Sequence, residues 1–541
     1  MEQMSQKSMQ PKPIADQLSS KVAISTETAS DKKLAKLVEI LDPENLPEVG
    51  FQSYIKFAND SITKRSSFLE GEVINPSFEY CELVNLEDLQ AGITNLESAK
   101  EEAAQLEPSL DSLNAINSTL DFRVAEMEYV KQIAQLNKMT RLLERLDDET
   151  SRSNLVTKIE QLVEDVRNLG HELYGEPDPD IRDMALNELW SILDSKSYSS
   201  SMQEIYNELQ DGFWFNDNKF ISPLMRADNR QVKLPDPGDL SIDWMGKYVA
   251  EMNGDIQALV EAYWEQAVAQ FGWDYKCGPE DIAEVFQRTI DMRDPNGESN
   301  VTVRLAEGRA SLSWESPEKA VLVGSNREPI GSKDELFKKV LHEFGVHGQR
   351  LVNGLKTDLP VLATGLYTDT ERADYLTFEE GFATTVEETI GDSTPRWNAG
   401  KLGHYLNISM AEDGADFRSV FEMSWRYRLL ASLKDNEEPT ESEIARQKKL
   451  AYGSCVRIFR GTQPDLAEKT GFDIPPLTFN KDLAYLSGRV LAMQHIKHLY
   501  DDENVEGLML LFGGKFDPTI PKQHELAKRH IDLSKIRNSF G

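Results

Sequence analysis

The sequence predicts a mainly α fold, of the α+β class, in which one small β-sheet interrupts a helical body. Apolar residues recur at spacings of three and four along most of the 541-residue chain, which is typical of amphipathic helices. Alternation with a period of two, which indicates half-buried strands, is confined to a short stretch between residues 300 and 323. After residue 332 the helical pattern returns and continues almost to the end.

The pattern divides the chain into three parts. Residues 1–30 are polar and rich in Ser, Gln, Lys and Pro, so we predict a disordered N-terminal tail. Residues 31–175 form a predicted helical N-terminal region, whose first helical pattern covers 31–40. Residues 176–541 carry the remaining helices, the strands and the candidate chemistry described below, and we predict that they form a catalytic domain.

An apolar stripe in the N-terminal region stops at Asp147-Asp148 and then resumes, which predicts a helical hairpin. Core packing with a solvated charged face explains this stripe better than a partner-binding coiled coil does. The stripe comprises Leu120, Val124, Met127, Val130, Ile133, Leu142, Leu143 and Leu146, followed by Leu155, Ile159, Leu162 and Val166.

Three short runs predict the strands of the small sheet. Residues 300–305 and 310–314 alternate, and residues 321–323 are short and apolar. All three precede the next predicted helix, which carries the most informative motif of the sequence. The run at 310–314 is also a candidate edge along which an extended peptide could pair, although ordinary sheet core is an equal interpretation.

Composition restricts the class of protein. The chain has 59 Lys and Arg against 92 Asp and Glu, a formal charge of −33, and such a surface repels polyphosphate, so we expect no nucleic-acid partner. The three cysteines, Cys81, Cys277 and Cys455, are too far apart to suggest a disulfide framework or a cysteine zinc site. The first residues lack an apolar signal-peptide core, and no stretch reads as a membrane span. We therefore expect a cytoplasmic location and no membrane partner.

The central motif is His342-Glu343-Phe344-Gly345-Val346-His347, an H-E-x-x-x-H pattern. It has one residue more than the H-E-x-x-H of zinc peptidases. Because an α-helix turns about 100° per residue, side chains five positions apart diverge by about 140°. A local π-turn would bring the two imidazoles back to one side, and Gly345 eases that distortion because it has no Cβ. We therefore predict a π-bulge between the two histidines.

A catalytic zinc ion needs three protein ligands and an open position for water. His342 and His347 supply two ligands, and Glu343 has the position of the general base in H-E-x-x-H sites. The third ligand is predicted in the segment 376–388, which reads as a second helix and has Glu379-Glu380 near its start. The sequence thus predicts one Zn²⁺ per chain. Packed or surface histidines are the alternative, but the apolar neighbours of the motif indicate a buried helix in which histidines need partners.

These residues resemble the DUF1704 family of H-E-x-x-x-H metallopeptidases, whose bacterial members are called QEGLA-motif proteins and which includes tyrosine carboxypeptidases acting on tubulin. The similarity extends over roughly residues 70 to 515. Its segments are His342 to His347, Gly354, Gly365, Glu379-Glu380-Gly381-Phe382-Ala383, Asn75-Pro76-x-Phe78-x-Tyr80, Leu173-Tyr174-Gly175-x-Pro177-Asp178 and Val456-Arg457-Ile458-Phe459-Arg460-Gly461.

The resemblance implies that His342, His347 and Glu380 bind zinc and that Glu343 is catalytic. Glu380 matches the Glu of QEGLA, whereas Glu379 replaces its Gln and remains an alternative ligand. The implied activity is that of a zinc carboxypeptidase acting on a peptide or protein C-terminus.

Such an enzyme needs a cation for the terminal carboxylate and a donor for the developing oxyanion. Arg457 and Arg460 are candidates for the first role, with structural ion pairs as the alternative. His404 and Tyr405 are candidates for the second, with core packing as the alternative.

Two other classes of function remain open. Two histidines and one carboxylate can also form the facial triad of a non-haem iron enzyme, but such an enzyme has no evident use for Glu343. A scaffold or binding protein with a vestigial metal site is the other alternative, and the presence of Glu343 argues against it. The sequence alone does not indicate the substrate or the oligomeric state.

Overall fold

Most of the chain forms α-helices, and the predicted mainly α fold is confirmed. The computed structural model describes residues 29–42, 62–78, 85–106, 109–315, 318–367, 375–390, 396–472 and 474–539. Nearly all of the predicted N-terminal tail lies outside these residues, but the first helix already begins at Ala29.

The elements follow one another in a simple order along the chain. The first half contains α1 (Ala29–Leu41), α2 (Ile62–Leu69), α3 (Leu86–Gln105), α4 (Leu110–Leu143), α5 (Glu149–Tyr174), α6 (Pro179–Asp194), α7 (Ser200–Asp211), β1 (Phe213–Phe215), β2 (Lys219–Ile221), α8 (Leu240–Met252), α9 (Gly254–Phe271) and α10 (Pro279–Arg293). The second half contains β3 (Thr302–Ala306), β4 (Leu312–Glu315), β5 (Ala320–Gly324), α11 (Lys333–Val340), a π-helix (Leu341–Gly348), α12 (Gln349–Leu355), α13 (Val361–Thr364), α14 (Tyr375–Glu388), α15 (Ala399–Glu412), α16 (Phe417–Ser432), α17 (Glu441–Ile458), α18 (Leu466–Thr470), a 3₁₀ turn (Asn480–Asp482), α19 (Leu483–Asp501), α20 (Val505–Leu510), α21 (Pro521–His530) and α22 (Leu533–Ser539).

The predicted helical hairpin is formed by α4 and α5. Its break is where the sequence indicates it, because the side chain of Asp148 accepts a hydrogen bond from the Ser151 N–H and caps α5. Two buried polar side chains of α4 bond to the second half of the chain. Thr119 bonds to the Gly365 carbonyl at 3.2 Å, and Asn137 bonds to the Gly461 carbonyl at 2.9 Å. The hairpin therefore packs against the elements that carry the candidate site, and the predicted domain boundary near residue 175 remains a prediction.

The three predicted strands form one sheet in the order β3-β5-β4. The central strand β5 is buried along its length, pairs parallel with β3 and pairs antiparallel with β4. Within the described residues β4 is thus an edge strand.

A second sheet, the β1–β2 hairpin, was not predicted. Its turn contains Asn216 and Asp217, both with positive φ, a conformation that Asn and Asp tolerate better than most residues. Three-residue strands are too short for an alternating pattern to stand out in the sequence.

The closest helix crossing in the second half is that of α14 and α19. A Cβ on Gly381 would lie 1.9 Å from the carbonyl carbon of Gly488, and one on Gly488 would lie 1.6 Å from the Thr377 oxygen. Any larger side chain at either position would collide with backbone, so the two helices touch through their main chains. This contact fixes α19 beside the helix that carries Glu379 and Glu380.

Two findings concern the predictions about compartment, which remain predictions. Cys277 and Cys455 are buried free thiols, and Cys81 lies outside the described residues. None of the described helices combines the length and the apolar character that crossing a bilayer requires.

Candidate metal centre

The H-E-x-x-x-H motif lies on a π-helix, Leu341–Gly348, which continues α11 and leads into α12. The predicted local widening is therefore confirmed. The His342 and His347 rings pack edge to face, with centroids 5.1 Å apart and planes at 72°. A Cβ on Gly345 would lie only 3.0 Å from Leu341 Cδ2, so the absence of a side chain there does ease the distortion.

Three potential ligand atoms converge at this point. His342, His347 and Glu380 each offer one atom, and these atoms all lie within 4.8 Å of one another. The distance from His347 Nε2 to Glu380 Oε2 is 3.9 Å. Ligand atoms about 2.0–2.2 Å from a tetrahedral zinc ion are roughly 3.4 Å apart, so small side-chain adjustments would let this group share one ion. The group can hold a divalent metal, and its two nitrogens and one oxygen are the donors of catalytic zinc sites.

The His347 imidazole is held by Glu379, the residue before the candidate ligand Glu380. His347 Nδ1 lies 2.8 Å from Glu379 Oε1, which leaves Nε2 available on the side of Glu380. Glu379 is also 3.0 Å from Lys515 Nζ and 3.3 Å from an Arg350 nitrogen, and all three side chains are buried. Burial alone would raise the pKa of Glu379, but the charges of Lys515 and Arg350 and the bond to His347 lower it to about 2. Glu379 is thus a permanently charged partner of His347, and Glu380 offers the oxygen of the convergent group.

A parallel arrangement holds His342. Its Nδ1 lies 3.0 Å from Glu387 Oε2, and Glu387 in turn lies 2.8 Å from Lys339 Nζ. Burial would raise the pKa of Glu387, but the bond to His342 and the Lys339 charge lower it to about 2. Carboxylates of this kind orient the histidines of metal sites and fix their tautomer. Sequence reasoning missed the role of Glu387, although its spacing of seven from Glu380 places both carboxylates on one helix face.

Glu343 is buried between the π-helix and the sheet. Its Oε2 accepts a hydrogen bond of 2.7 Å from the Trp314 N–H, which belongs to edge strand β4. Only 8% of Glu343 is exposed, and this burial raises its pKa, while the nearby His342 and His347 oppose the rise. A carboxylate with a raised pKa beside a metal site is suited to proton transfer.

Arg457 lies beside Tyr485, a residue that sequence reasoning missed. The Arg457 guanidinium carbon lies 5.8 Å from the centre of the Tyr485 ring, and its side chain is 46% exposed. The guanidinium is paired with Asp482 at 2.7 Å, as the structural alternative predicted, but its exposure leaves donors for a ligand. Arg460 lies instead over the Phe479 ring, with its guanidinium carbon 5.7 Å from the ring centre.

His404 and Tyr405 lie in structural hydrogen bonds. Both ring nitrogens of His404 have partners, Ser454 Oγ at 3.0 Å and Asp482 Oδ2 at 2.8 Å. The buried Tyr405 hydroxyl accepts a 2.7 Å bond from the backbone N–H of Asp178, the capping residue of α6. The packing alternative describes both positions well, and the donor role predicted for them has no geometric support.

A large cavity lies away from these groups. Its volume is about 810 Å³, and its lining residues include Asn75, Lys219, Asp416 and Glu468 but none of the convergent ligands, as far as the described residues show. Its polar groups are already paired, since Lys219 lies 2.8 Å from Asp416 and Asn75 donates to Glu468 at 2.7 Å. The cavity is therefore a poor candidate for the chemistry.

Comparisons with known proteins support the resemblance over part of the second half of the chain. A sequence model of the family described as microtubule-associated tyrosine carboxypeptidase matches residues 326–531. This segment is under half of the chain, but it contains the π-helix, α14, Arg457 and Tyr485. No curated protein and no solved structure matches the chain. The assignment to DUF1704 remains a prediction, whereas the match supports a carboxypeptidase-like enzyme with a protein or peptide substrate.

Proposed function

We propose that this protein is a zinc-dependent carboxypeptidase that removes residues from the C-terminus of a peptide or protein. One Zn²⁺ would be held by His342, His347 and Glu380, with Glu343 as the general base. The observation that carries this proposal is the convergence of those three ligand atoms within 4.8 Å, next to a buried Glu343. When bound, the ion would polarise the scissile carbonyl and activate a water molecule.

The residues of the chain have separable roles in this reaction. Glu343 takes a proton from the attacking water and delivers it to the leaving amine. The Trp314 N–H holds Glu343 Oε2 at 2.7 Å and thereby orients the carboxylate. Because that N–H belongs to an edge strand, the same edge of β4 lies beside the base and can pair with the backbone of an extended substrate.

The proposed exopeptidase specificity depends on Arg457. A partly exposed guanidinium beside Tyr485 can bind the terminal carboxylate of a substrate in a bidentate manner. Asp482 fixes one side of the guanidinium, which reduces the entropy lost when a ligand binds the other side. Arg460 is the weaker candidate, because its guanidinium lies over Phe479.

Digestion of a peptide library by the zinc-loaded protein, read by mass spectrometry, tests the proposal. We expect single residues to be lost from free C-termini, and we expect C-terminally amidated versions of the same peptides to be resistant. Internal cleavage would contradict the carboxypeptidase assignment. Metal analysis of protein purified without added metal is the companion measurement, since iron in place of zinc would favour the non-haem iron alternative.

Glu343→Gln is the matched variant for this experiment. It keeps the shape of the side chain but removes its basicity, so kcat should fall by about 10²- to 10⁴-fold while zinc content stays the same. A variant as active as the wild type would exclude Glu343 as the base. In cells, an unchanged biological output of this variant would favour the scaffold alternative.

A further inference from the structure

An acyl-transfer site needs a donor aimed at the oxygen that gains negative charge, and removal of such a donor is costly. The sequence candidates for this role, His404 and Tyr405, have their polar atoms in bonds to Ser454, Asp482 and Asp178. Another phenol, that of Tyr485, lies within the influence of the Glu380 carboxylate, and its other charged neighbours are Arg457 and Asp482.

The contact of Gly381 with Gly488 explains why Tyr485 lies near Glu380. Glu380 immediately precedes Gly381 on α14, and Tyr485 lies three residues, nearly one turn, before Gly488 on α19. Since the two backbones touch at the glycines, side chains that flank the crossing share a small volume. The Glu380 carboxylate is accordingly the strongest influence on the Tyr485 hydroxyl, and it raises the pKa of that phenol.

The neighbours of Tyr485 suit it to donate a hydrogen bond. Tyr485 is 42% exposed, so part of the residue can be reached by a ligand. The Arg457 guanidinium is near enough to act on the Tyr485 hydroxyl, and because a guanidinium can only donate, it leaves the phenolic proton for another acceptor. A tyrosine phenol ordinarily titrates near a pKa of about 10, so Tyr485 keeps that proton at neutral pH.

We propose that Tyr485 is a catalytic residue that donates a hydrogen bond to the scissile carbonyl oxygen as that oxygen becomes an oxyanion. This inference rests on the proposed carboxypeptidase function. The phenolic proton stays on Tyr485 and no covalent bond forms there, while the proton of the attacking water passes through Glu343 to the leaving amine. Arg457 binds the terminal carboxylate, so the two neighbours act on different substrate oxygens.

Tyr485→Phe tests the role with a change of one hydroxyl. Because the bond forms in the transition state, kcat should fall by roughly 100- to 1000-fold. KM should change little, because the ground state loses no contact. Affinity for a phosphinic peptide, whose tetrahedral oxygens imitate the transition state, should fall in parallel. Affinity for the product peptide and the zinc content should stay the same.

Tyr500→Phe is the matched control, because it removes a hydroxyl from the same helix α19 and should leave both constants unchanged. Tyr485→His, which retains a donor, should recover part of kcat. Melting temperatures of all variants separate loss of catalysis from loss of fold.

Two results would overturn the proposal. An increase in KM at constant kcat would mean that Tyr485 only positions Arg457, and unchanged kinetics would mean that it has no role. A wild-type protein that cleaves no peptide contradicts the proposed function first. In that case the phosphinic peptide still distinguishes the two ideas, since equal binding by wild type and Tyr485→Phe, or binding by neither, contradicts the donor role as well.

Discussion

Two clusters in the second half of the chain pair histidine with buried carboxylate. They differ in whether one or both ring nitrogens of the histidine contact a protein group. In the convergent group, His342 and His347 each have Nδ1 beside a carboxylate, Glu387 or Glu379, at 3.0 and 2.8 Å. In the second cluster, both nitrogens of His404 are engaged, by Ser454 and by Asp482. A histidine binds a metal through a ring nitrogen with a free lone pair. The comparison shows that a candidate ligand differs from a structural histidine in having a ring nitrogen available to a metal. A nearby carboxylate is common to both.

Replacing one histidine in each cluster should give the largest difference in zinc binding between two variants. His347→Ala should weaken zinc binding by more than the roughly 10- to 100-fold typical of outer-shell changes, because a ligand is lost. His404→Ala should leave zinc binding intact and destabilise the fold by about 1–3 kcal/mol, because Asp482 and Ser454 lose a buried partner.

Competition with a chromophoric chelator measures the first effect and urea unfolding the second. Zinc affinity that falls equally in both variants would remove the distinction between the two clusters.

The two outer carboxylates allow a finer comparison inside the convergent group. Glu379→Ala removes the carboxylate that contacts the buried Lys515 and Arg350, so we expect a loss of about 3–5 kcal/mol of stability. Glu387→Ala should cost less, because Lys339 is 29% exposed and can be solvated. Both should weaken zinc binding by about 10- to 100-fold, because each frees one imidazole to rotate.

Glu379→Gln is the control for charge, since it removes the charge of the side chain and keeps a hydrogen-bond acceptor for His347. If this variant binds zinc as weakly as Glu379→Ala, the charge of Glu379 matters more than its position. If all three variants bind zinc like the wild type, neither carboxylate orients a ligand.

The smallest expected effect concerns pH and the second cluster. Burial would raise the pKa of Asp482, but the bond from His404 and the charge of Arg457 hold it well below the ordinary 3.8. A carboxyl group whose pKa is lower in the folded than in the unfolded protein stabilises the fold at pH values above its unfolded pKa. This stabilisation is lost as the pH falls below that unfolded pKa.

The stability difference between wild type and Asp482→Asn should therefore be constant from neutral pH down to about 4 and shrink below that. Urea unfolding at a series of pH values between 7 and 2.5 measures it. A difference that grows with acidity would contradict the lowered pKa.

The sequence predicted those elements whose residues follow a regular spacing. The α4–α5 hairpin, the three strands around β5 and the π-turn at Gly345 all follow from local spacing, because period and steric freedom are properties of short segments. The β1–β2 hairpin was missed, since its strands are three residues long.

Two of the residues missed at the site, Lys515 and Tyr485, are distant from the motif along the chain. Lys515 and Tyr485 lie more than a hundred residues after His347 and have no motif of their own. Their positions depend on the packing of α19 and of the segment after α20 against α14.

The sequence by itself determined the helical architecture, the small sheet and the presence of two histidines, a base and an acidic helix that could serve a metal. Tertiary structure decided which carboxylate faces which histidine, and that Glu380 rather than Glu379 joins the convergent group. It also decided that both ring nitrogens of His404 are bonded. Tyr485, which no sequence motif indicates, lies within the influence of Glu380. The physical reason is that spacing specifies the face of a helix, whereas the groups that meet on that face are fixed by close backbone contacts such as Gly381 on Gly488.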